Sequence, residues 1–197
     1  MKKAIAFFDV DGTLTRGDTF LANIRYQKGT WKFWLGFAWL SPWILAYKIG
    51  ILSNQIAKEK ALRLFFGGMK EADFRTQCEA FARNELPKML RAKGIAEIEK
   101  HEAIGHQVVL VTASAPEWIA GGFKQFSHLQ IEGTRLEIVD GKITGRILGK
   151  NCYGEEKVRR INPYLEDFQG PTYGYGDTKG DLPLLRKTTF QFYKPFR

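Results

Sequence analysis

Cysteine and histidine are scarce in this chain, which has Cys78 and Cys152 and three histidines, His101, His106 and His128, in 197 residues. The cysteines lie far apart, share no metal-ligand spacing and have no histidine clustered with them, which excludes a zinc site and leaves two free, buried or half-buried thiols. No internal period appears and no stretch is of low complexity, which excludes repeat architectures and disorder. Long hydrophobic runs are lacking too. The most apolar stretch keeps 15 uncharged residues between Lys32 and Lys48, short of the roughly 20 that span a bilayer, and Ser41-Pro42 is expected to break it near its middle. The opening, Met1 to Phe8, starts like a signal peptide, but Asp9 and Asp11 interrupt it before an apolar region of about 7–15 residues forms. An intracellular, cytoplasmic protein is therefore expected.

Acids are missing from one region. Between Arg16 and Lys70 nine basic residues meet only Asp18 and Glu59, so this stretch carries +7 of the formal net charge of +9. Such concentration points to an anionic partner for that part of the chain, or to a solvated basic face. Nothing points to nucleic acid.

What is present reads as a soluble globular chain, 44% hydrophobic and 26% charged, long enough for one domain or a domain with an insert. Residues 3–9 form an apolar run ending in Asp-Val-Asp-Gly, a buried strand followed by a tight loop. Gln107–Thr112 and Thr172–Gly176 are further strands, and Thr189–Tyr193 a fourth candidate. Helices are expected at Ile95–Ile104, Pro116–Phe126, Glu155–Phe168 and Asp181–Arg186. Strands alternating with helices imply a parallel α/β sheet. Leu136–Gly145, with Asp140-Gly141 at its centre, predicts a β-hairpin at the sheet's margin. About a hundred residues separate the first two strands, too many for an ordinary crossover. They read as helices at Leu21–Tyr26, Trp31–Leu40, Pro42–Ile51, Asn54–Phe66 and Glu71–Arg91. The expected organisation is a core of residues 1–15 and 104–197 with a helical insert over 16–103.

Three motifs sit at the carboxyl ends of predicted strands, where open α/β sheets bind ligands. In Asp9-Val10-Asp11-Gly12-Thr13-Leu14-Thr15 the chain turns after the strand, so both acids can address one ligand. A carboxylate can attack phosphorus to give an acyl-phosphate. A second acid then protonates the leaving alkoxide and later deprotonates water. In Val111-Thr112-Ala113-Ser114 a hydroxyl precedes small residues and a helix start, which suits phosphate oxygens; a capping role for Ser114 is an equal account. In Gly176-Asp177-Thr178-Lys179-Gly180-Asp181 two acids four apart can hold magnesium, which keeps several waters and needs one or two carboxylates. A turn with Asp181 as helix cap is the alternative. Lys157, between the second and third motifs, is a point charge of the kind that binds phosphate.

In this order the motifs resemble the four motifs of the haloacid dehalogenase (HAD) superfamily, over the whole chain. The resemblance implies a Rossmann-like α/β core with an inserted helical cap, and a magnesium-dependent phosphatase. It makes Asp9 the nucleophile and a metal ligand, and Asp11 the general acid/base, with its backbone carbonyl on the metal. Thr112 and Lys157 would hold the phosphoryl group; Ala113 and Ser114, beside Thr112, and Asp18 are further substrate-binding candidates. Asp177 would ligate magnesium, and Asp181 would do so directly or through water. The cap's position resembles the phosphoserine phosphatase branch, and Val139–Gly145 with Tyr153-Gly-Glu-Glu-Lys-Val resembles the HAD-IB hydrolases. That branch carries an asparagine at the position of Gly180 and a glutamate at that of Asp18. Its cap arginine, which binds substrate, has Lys60 or Arg63 as counterparts here. A fold retained as a binding module would be expected to have lost a catalytic carboxylate; Asp9, Asp11 and Asp177 are all present.

Trp31–Leu52 is unusual for such a cap, with four of the five tryptophans within thirteen residues. Two readings stand: a buried helical pair within the cap, or a surface dipping into the interface of an anionic membrane. Some HAD-IB phosphatases act on phosphatidylglycerophosphate, and this chain is similar to them in that stretch. The implied substrate is a phosphorylated small molecule or a lipid phosphate, and the second of these would place the enzyme peripherally at the inner face of the membrane.

Overall fold

The apolar runs that precede the acidic motifs become strands because each is buried on both faces. The computed structural model describes residues 3–197; Met1 and Lys2, where the signal-like opening begins, lie outside the described residues. The strands are β1 (Ile5–Phe8), β2 (Gln107–Val111), β3 (Gln130–Glu132), β4 (Leu136–Val139), β5 (Lys142–Ile147), β6 (Thr172–Gly176) and β7 (Phe190–Tyr193). Five of them form one parallel sheet in the order β3-β2-β1-β6-β7. Alternation along β1 sends Ile5 and Phe7 into one hydrophobic layer and Ala6 and Phe8 into the other, so the central strand is apolar throughout. Phe8 lies level with Leu110 on β2 and Tyr175 on β6. This register brings the ends of β1, β2 and β6, with the three motifs that follow them, to one edge of the sheet. β3 had no counterpart among the predicted strands.

The helices are α1 (Thr19–Lys48), α2 (Asn54–Phe66), α3 (Glu71–Asn84), α4 (Leu86–Met89), α5 (Ala92–Ala103), α6 (Pro116–Ile119), α7 (Glu155–Leu165) and α8 (Leu182–Arg186). The three segments expected between Leu21 and Ile51 form two helical stretches within α1, kinked at Gly29 between the first and second, the first begun by the Asp18 side chain accepting from Leu21 N–H. Ser41-Pro42 does not break the second. Proline removes the N–H that would bond Ala38 O, and the Ser41 hydroxyl takes that carbonyl at 2.7 Å. The irregularity falls instead at Gly29 (φ 80, ψ 160), a backbone conformation that glycine tolerates. The segment is not buried throughout. Leu40 is buried and Phe33, Phe37, Trp43 and Ile44 pack against the core, while Trp31, Trp34 and Trp39 stand 76%, 63% and 58% exposed. No helix among the described residues is long and apolar enough to cross a membrane.

Other expectations are corrected by packing. Glu71–Arg91 is divided at Glu85, because Pro87 fits only the first turn of a new helix, α4. Pro116–Phe126 is a one-turn helix continued by a tighter turn over Ala120–Phe123. The β4–β5 hairpin does not flank the main sheet but pairs only with itself among the strands. It docks on the insert, exchanging backbone bonds between Ile143 and Gly68 and Met69 and offering Ile147 N–H to the Glu59 carboxylate at 3.0 Å. α5, expected inside the 16–103 insert, buries Gly94, Ile98 and His101 and packs against β2 and Leu14. The insert's two ends run side by side, with Arg16 N–H on Met89 O at 2.8 Å and Arg91 N–H on Leu14 O at 2.7 Å.

Candidate active site

The loop after β1 carries Asp9 to the sheet edge, and Gly12 (φ 83) lets it approach the loop after β6. A Cβ at Gly12 would come within 2.5 Å of Asp177 Oδ2, so only glycine fits there. Thr13 ties the two loops, its hydroxyl lying 3.1 Å from Asp9 Oδ2 and 3.2 Å from Asp177 Oδ1. Asp9, Asp177 and Asp181 are all buried, and one carboxylate oxygen of each lies within 4.8 Å of the others.

Lys157, on the first turn of α7, is 1% exposed and bridges two of these acids, its Nζ 2.6 Å from Asp9 Oδ1 and 2.6 Å from Asp181 Oδ1. Burial works against its charge, but the two carboxylates outweigh burial and raise its pKa. Burial, reinforced by the charges of Asp181 and Asp11, pushes Asp9 up to about 8 against the pull of Lys157. Asp177 is likewise raised by burial and by Asp181. Asp181 moves the other way: burial would raise it, but Lys157 and hydrogen bonds at Thr178 lower it. Its second oxygen accepts from Asp177 N–H at 3.2 Å and from Thr178 N–H and hydroxyl at 2.9 and 2.8 Å. The helix-capping role and the charged role of Asp181 therefore coexist.

Three buried carboxylates face two cations, Lys157 and Arg197, so ionising the whole set leaves one negative charge uncompensated. A buried set of hard oxygen donors with uncompensated charge fits magnesium. Asp11 stands apart from this set. Its carboxylate accepts from Thr19 N–H, at the start of α1, and from the Ser114 hydroxyl, both at 2.6 Å. Ser114 also contacts the Thr19 hydroxyl at 2.9 Å and does not cap α6. Thr112 accepts Ser114 N–H at 3.0 Å, and Ala113 O accepts Lys58 Nζ at 2.5 Å.

Most of these groups, though not Thr112 or Asp177, line a cavity of 780 Å³ that Phe20, Leu21, Phe37, Leu40, Trp43 and Ile44 of α1 also line. Asp9, Asp11, Asp18, Ala113, Ser114, Lys157 and Asp181 all line it. Asp18, at the mouth, is pushed up to about 6 by the desolvating walls and by Asp11. Arg63 does not reach the cavity; it is exposed, and its backbone packs against Gly145 of β5. Lys60 lies over the Trp43 ring. The cations of residues 16–103 that do line the cavity are Arg16, Lys58 and Arg91; Lys58 was not singled out by spacing because the phase of α2 against the core is set by packing. Arg197 also reaches the site, pairing with Asp177, and nothing in its local sequence marks it. Gly180 has a plain reason: a Cβ there would collide with the ring of Tyr153, so Tyr153 occupies the space that an asparagine side chain would need.

The model of the family described as haloacid dehalogenase-like hydrolase matches residues 6–186. Protein CicA of Caulobacter vibrioides is 34% identical over 192 residues, covering 96% of this chain and 85% of that protein. Phosphoserine phosphatase SerB1 of Mycobacterium tuberculosis is 29% identical over 205 residues, covering 92% of this chain and 61% of that protein. A crystal structure of a protein of unknown function from Bordetella pertussis superposes with a TM-score of 0.81 at 26% identity, over 96% of this chain and 88% of that one. With the acids and lysine of the four motifs gathered at one sheet edge, the chain belongs to the haloacid dehalogenase-like hydrolases and is a phosphatase of that family.

Proposed function

We propose that the protein hydrolyses phosphate monoesters in a magnesium-dependent reaction that passes through an aspartyl-phosphate on Asp9. The observation that carries this is the buried cluster of Asp9, Asp177, Asp181 and Lys157 beside a cavity that Asp9, Asp11, Lys157 and Asp181 line. Asp9, Asp177 and Asp181, with the backbone carbonyl of Asp11, would hold magnesium, which would supply positive charge at the phosphoryl oxygens. Asp9 attacks phosphorus, the ester P–O bond breaks, and Asp11 gives its proton to the leaving oxygen. Water then attacks the aspartyl-phosphate, its proton passes to Asp11, and phosphate leaves with Asp9 restored. Lys157 and the Thr112–Ser114 loop hold the phosphoryl group, which requires Ser114 to share its hydroxyl between Asp11 and substrate. The insert, residues 16–90 with the β4–β5 hairpin, acts as the cap that chooses the substrate, with Lys58 at its inner wall and Asp18 at the mouth.

A second substrate class is favoured by one feature: the wall opposite the acids is apolar, and the same helix exposes tryptophans outside. An amphiphilic phosphomonoester, such as the lipid phosphatidylglycerophosphate, would place its headgroup at Asp9 and its chain along Phe37, Leu40 and Ile44. The enzyme would then sit peripherally on an anionic membrane, at its cytoplasmic face, with the basic residues of the insert meeting the headgroups. An aryl phosphate assayed with and without magnesium tests the chemistry, and acid-quenched enzyme should carry phosphate on Asp9. A panel of soluble and lipid phosphomonoesters separates the substrate classes. Turnover that persists after exhaustive chelation would overturn the magnesium reading.

A further inference from the structure

A guanidinium reaches the acidic cluster from a segment that the reaction above does not use. Beyond β7 the backbone turns at Lys194 (φ 57), whose N–H bonds Gly176 O at 2.8 Å. Phe196 then stacks on Tyr175, ring centroids 5.7 Å apart and planes 14° apart. Arg91 holds the Phe196 carbonyl through Nη1 at 3.5 Å and Thr15 O through Nε at 3.0 Å. The segment is thus anchored to β6, to α5 and to the loop after β1, and it delivers Arg197 Nη2 onto Asp177 Oδ2. The other oxygen of Asp177 is occupied by the Thr13 hydroxyl. Oδ2 is also the oxygen nearest Gly12, so Arg197 covers the side of Asp177 that faces the loop of Asp9 and Asp11.

We infer that Arg197 is a tethered counter-cation that competes with the divalent metal for Asp177. The inference rests on the magnesium reading proposed above. Asp177 is 3% exposed, and a buried carboxylate without an opposite charge is costly. Thr13 is a neutral donor, so in the metal-free protein the compensating charge on this residue comes from Arg197. A metal ion and a guanidinium on one carboxylate oxygen repel each other. The Arg197 side chain, 49% exposed, has room to withdraw into the cavity that it already lines.

The test is metal binding to the whole chain, read by calorimetry with magnesium and by electron paramagnetic resonance with manganese, in the parent, R197A, R197Q and D177N. Losing a partly screened charged hydrogen bond should tighten binding by about threefold to tenfold in both Arg197 variants. Thermal unfolding gives a second readout: R197A should melt lower than the parent in chelator and match it in saturating magnesium. Unchanged or weaker metal affinity in R197A and R197Q, with binding lost in D177N, overturns this inference and leaves the metal site standing. Unchanged binding in D177N overturns the magnesium reading and this inference with it.

Discussion

At the sheet edge, Asp9, Lys157, Asp177 and Asp181 are each 5% exposed or less; along α1, Trp31, Trp34 and Trp39 are more than half exposed. One region hides charge from water and the other shows water its largest apolar side chains. Neither arrangement helps the fold by itself. A buried charge needs an exact partner, and an exposed tryptophan forfeits its burial energy. Each is tolerated differently: Lys157 pairs with Asp9 and Asp181, whereas Trp34 and Trp39 touch rings of their own helix, Phe33 and Trp43, and leave most of their surface to solvent.

The comparison breaks most visibly at Asp9. Asp9→Asn should lower turnover by at least about 10³-fold while far-UV dichroism stays unchanged, because an amide of the same size is a poor nucleophile. Asp11→Asn should cost about 10²- to 10⁴-fold through loss of leaving-group protonation. Steady-state rates on an aryl phosphate check both, and near-parental activity in Asp9→Asn would sink the mechanism.

Lys157→Met tests the stability side of the buried cluster. It leaves Asp9 and Asp181 without their shared cation, and breaking such a pair typically costs about 3–5 kcal/mol. Urea unfolding should show that loss in chelator and a partial recovery in magnesium. A variant as stable as the parent would mean that the cluster tolerates unpaired charge.

His101 buries a titratable group in the opposite manner, uncharged. It is 3% exposed, with Nε2 2.9 Å from the Tyr175 hydroxyl and Nδ1 2.7 Å from His106 Nδ1, while Glu97 and Lys100 flank it. Burial, then His106, lowers its pKa from 6.5 to about 4. Between those values the unfolded chain binds the proton and the folded chain does not, so stability falls as pH drops from about 6.5 towards 4 and is retained above it. The expected loss is on the order of 2 kcal/mol. Urea midpoints at pH 7.5 and 5 should diverge in the parent and less so in His101→Gln.

The smallest stability effect belongs to the tryptophans. Trp34→Ala with Trp39→Ala should change stability by no more than about 0.5 kcal/mol per site, as for exposed positions, against about 3–5 kcal/mol for a buried aromatic. If the outer face of α1 meets membrane, co-sedimentation with anionic vesicles should fall in the double variant and with added salt. A double variant that unfolds would place these rings in the core, and equal binding to zwitterionic vesicles would remove the electrostatic part of the membrane reading.

Much of the fold was legible in the chain. The strands that lead to Asp9, Thr112 and Asp177 are short apolar runs cut off by polar turns, a pattern that burial on both faces of a sheet requires. The acids and lysine of the motifs are recognisable by type and order, since phosphoryl chemistry and metal binding dictate side-chain identity. Less was legible where several local outcomes cost nearly the same. Pro42 reads as a helix break until the Ser41 hydroxyl is seen on the carbonyl that proline leaves free. The β4–β5 hairpin carries its own turn signal, yet only α2 decides that it sits on the insert rather than on the sheet.

By itself the sequence determined that a parallel sheet would end in Asp9, Asp11, Asp177 and Asp181, because alternation, turn residues and side-chain chemistry are local properties. Tertiary structure alone decided that Lys58 rather than Lys60 or Arg63 enters the cavity, that Tyr153 fills the space beside Gly180, and that Arg197 meets Asp177. Those outcomes depend on how helices are rotated and where a distant segment returns, and such contacts are set by the summed packing of the whole chain.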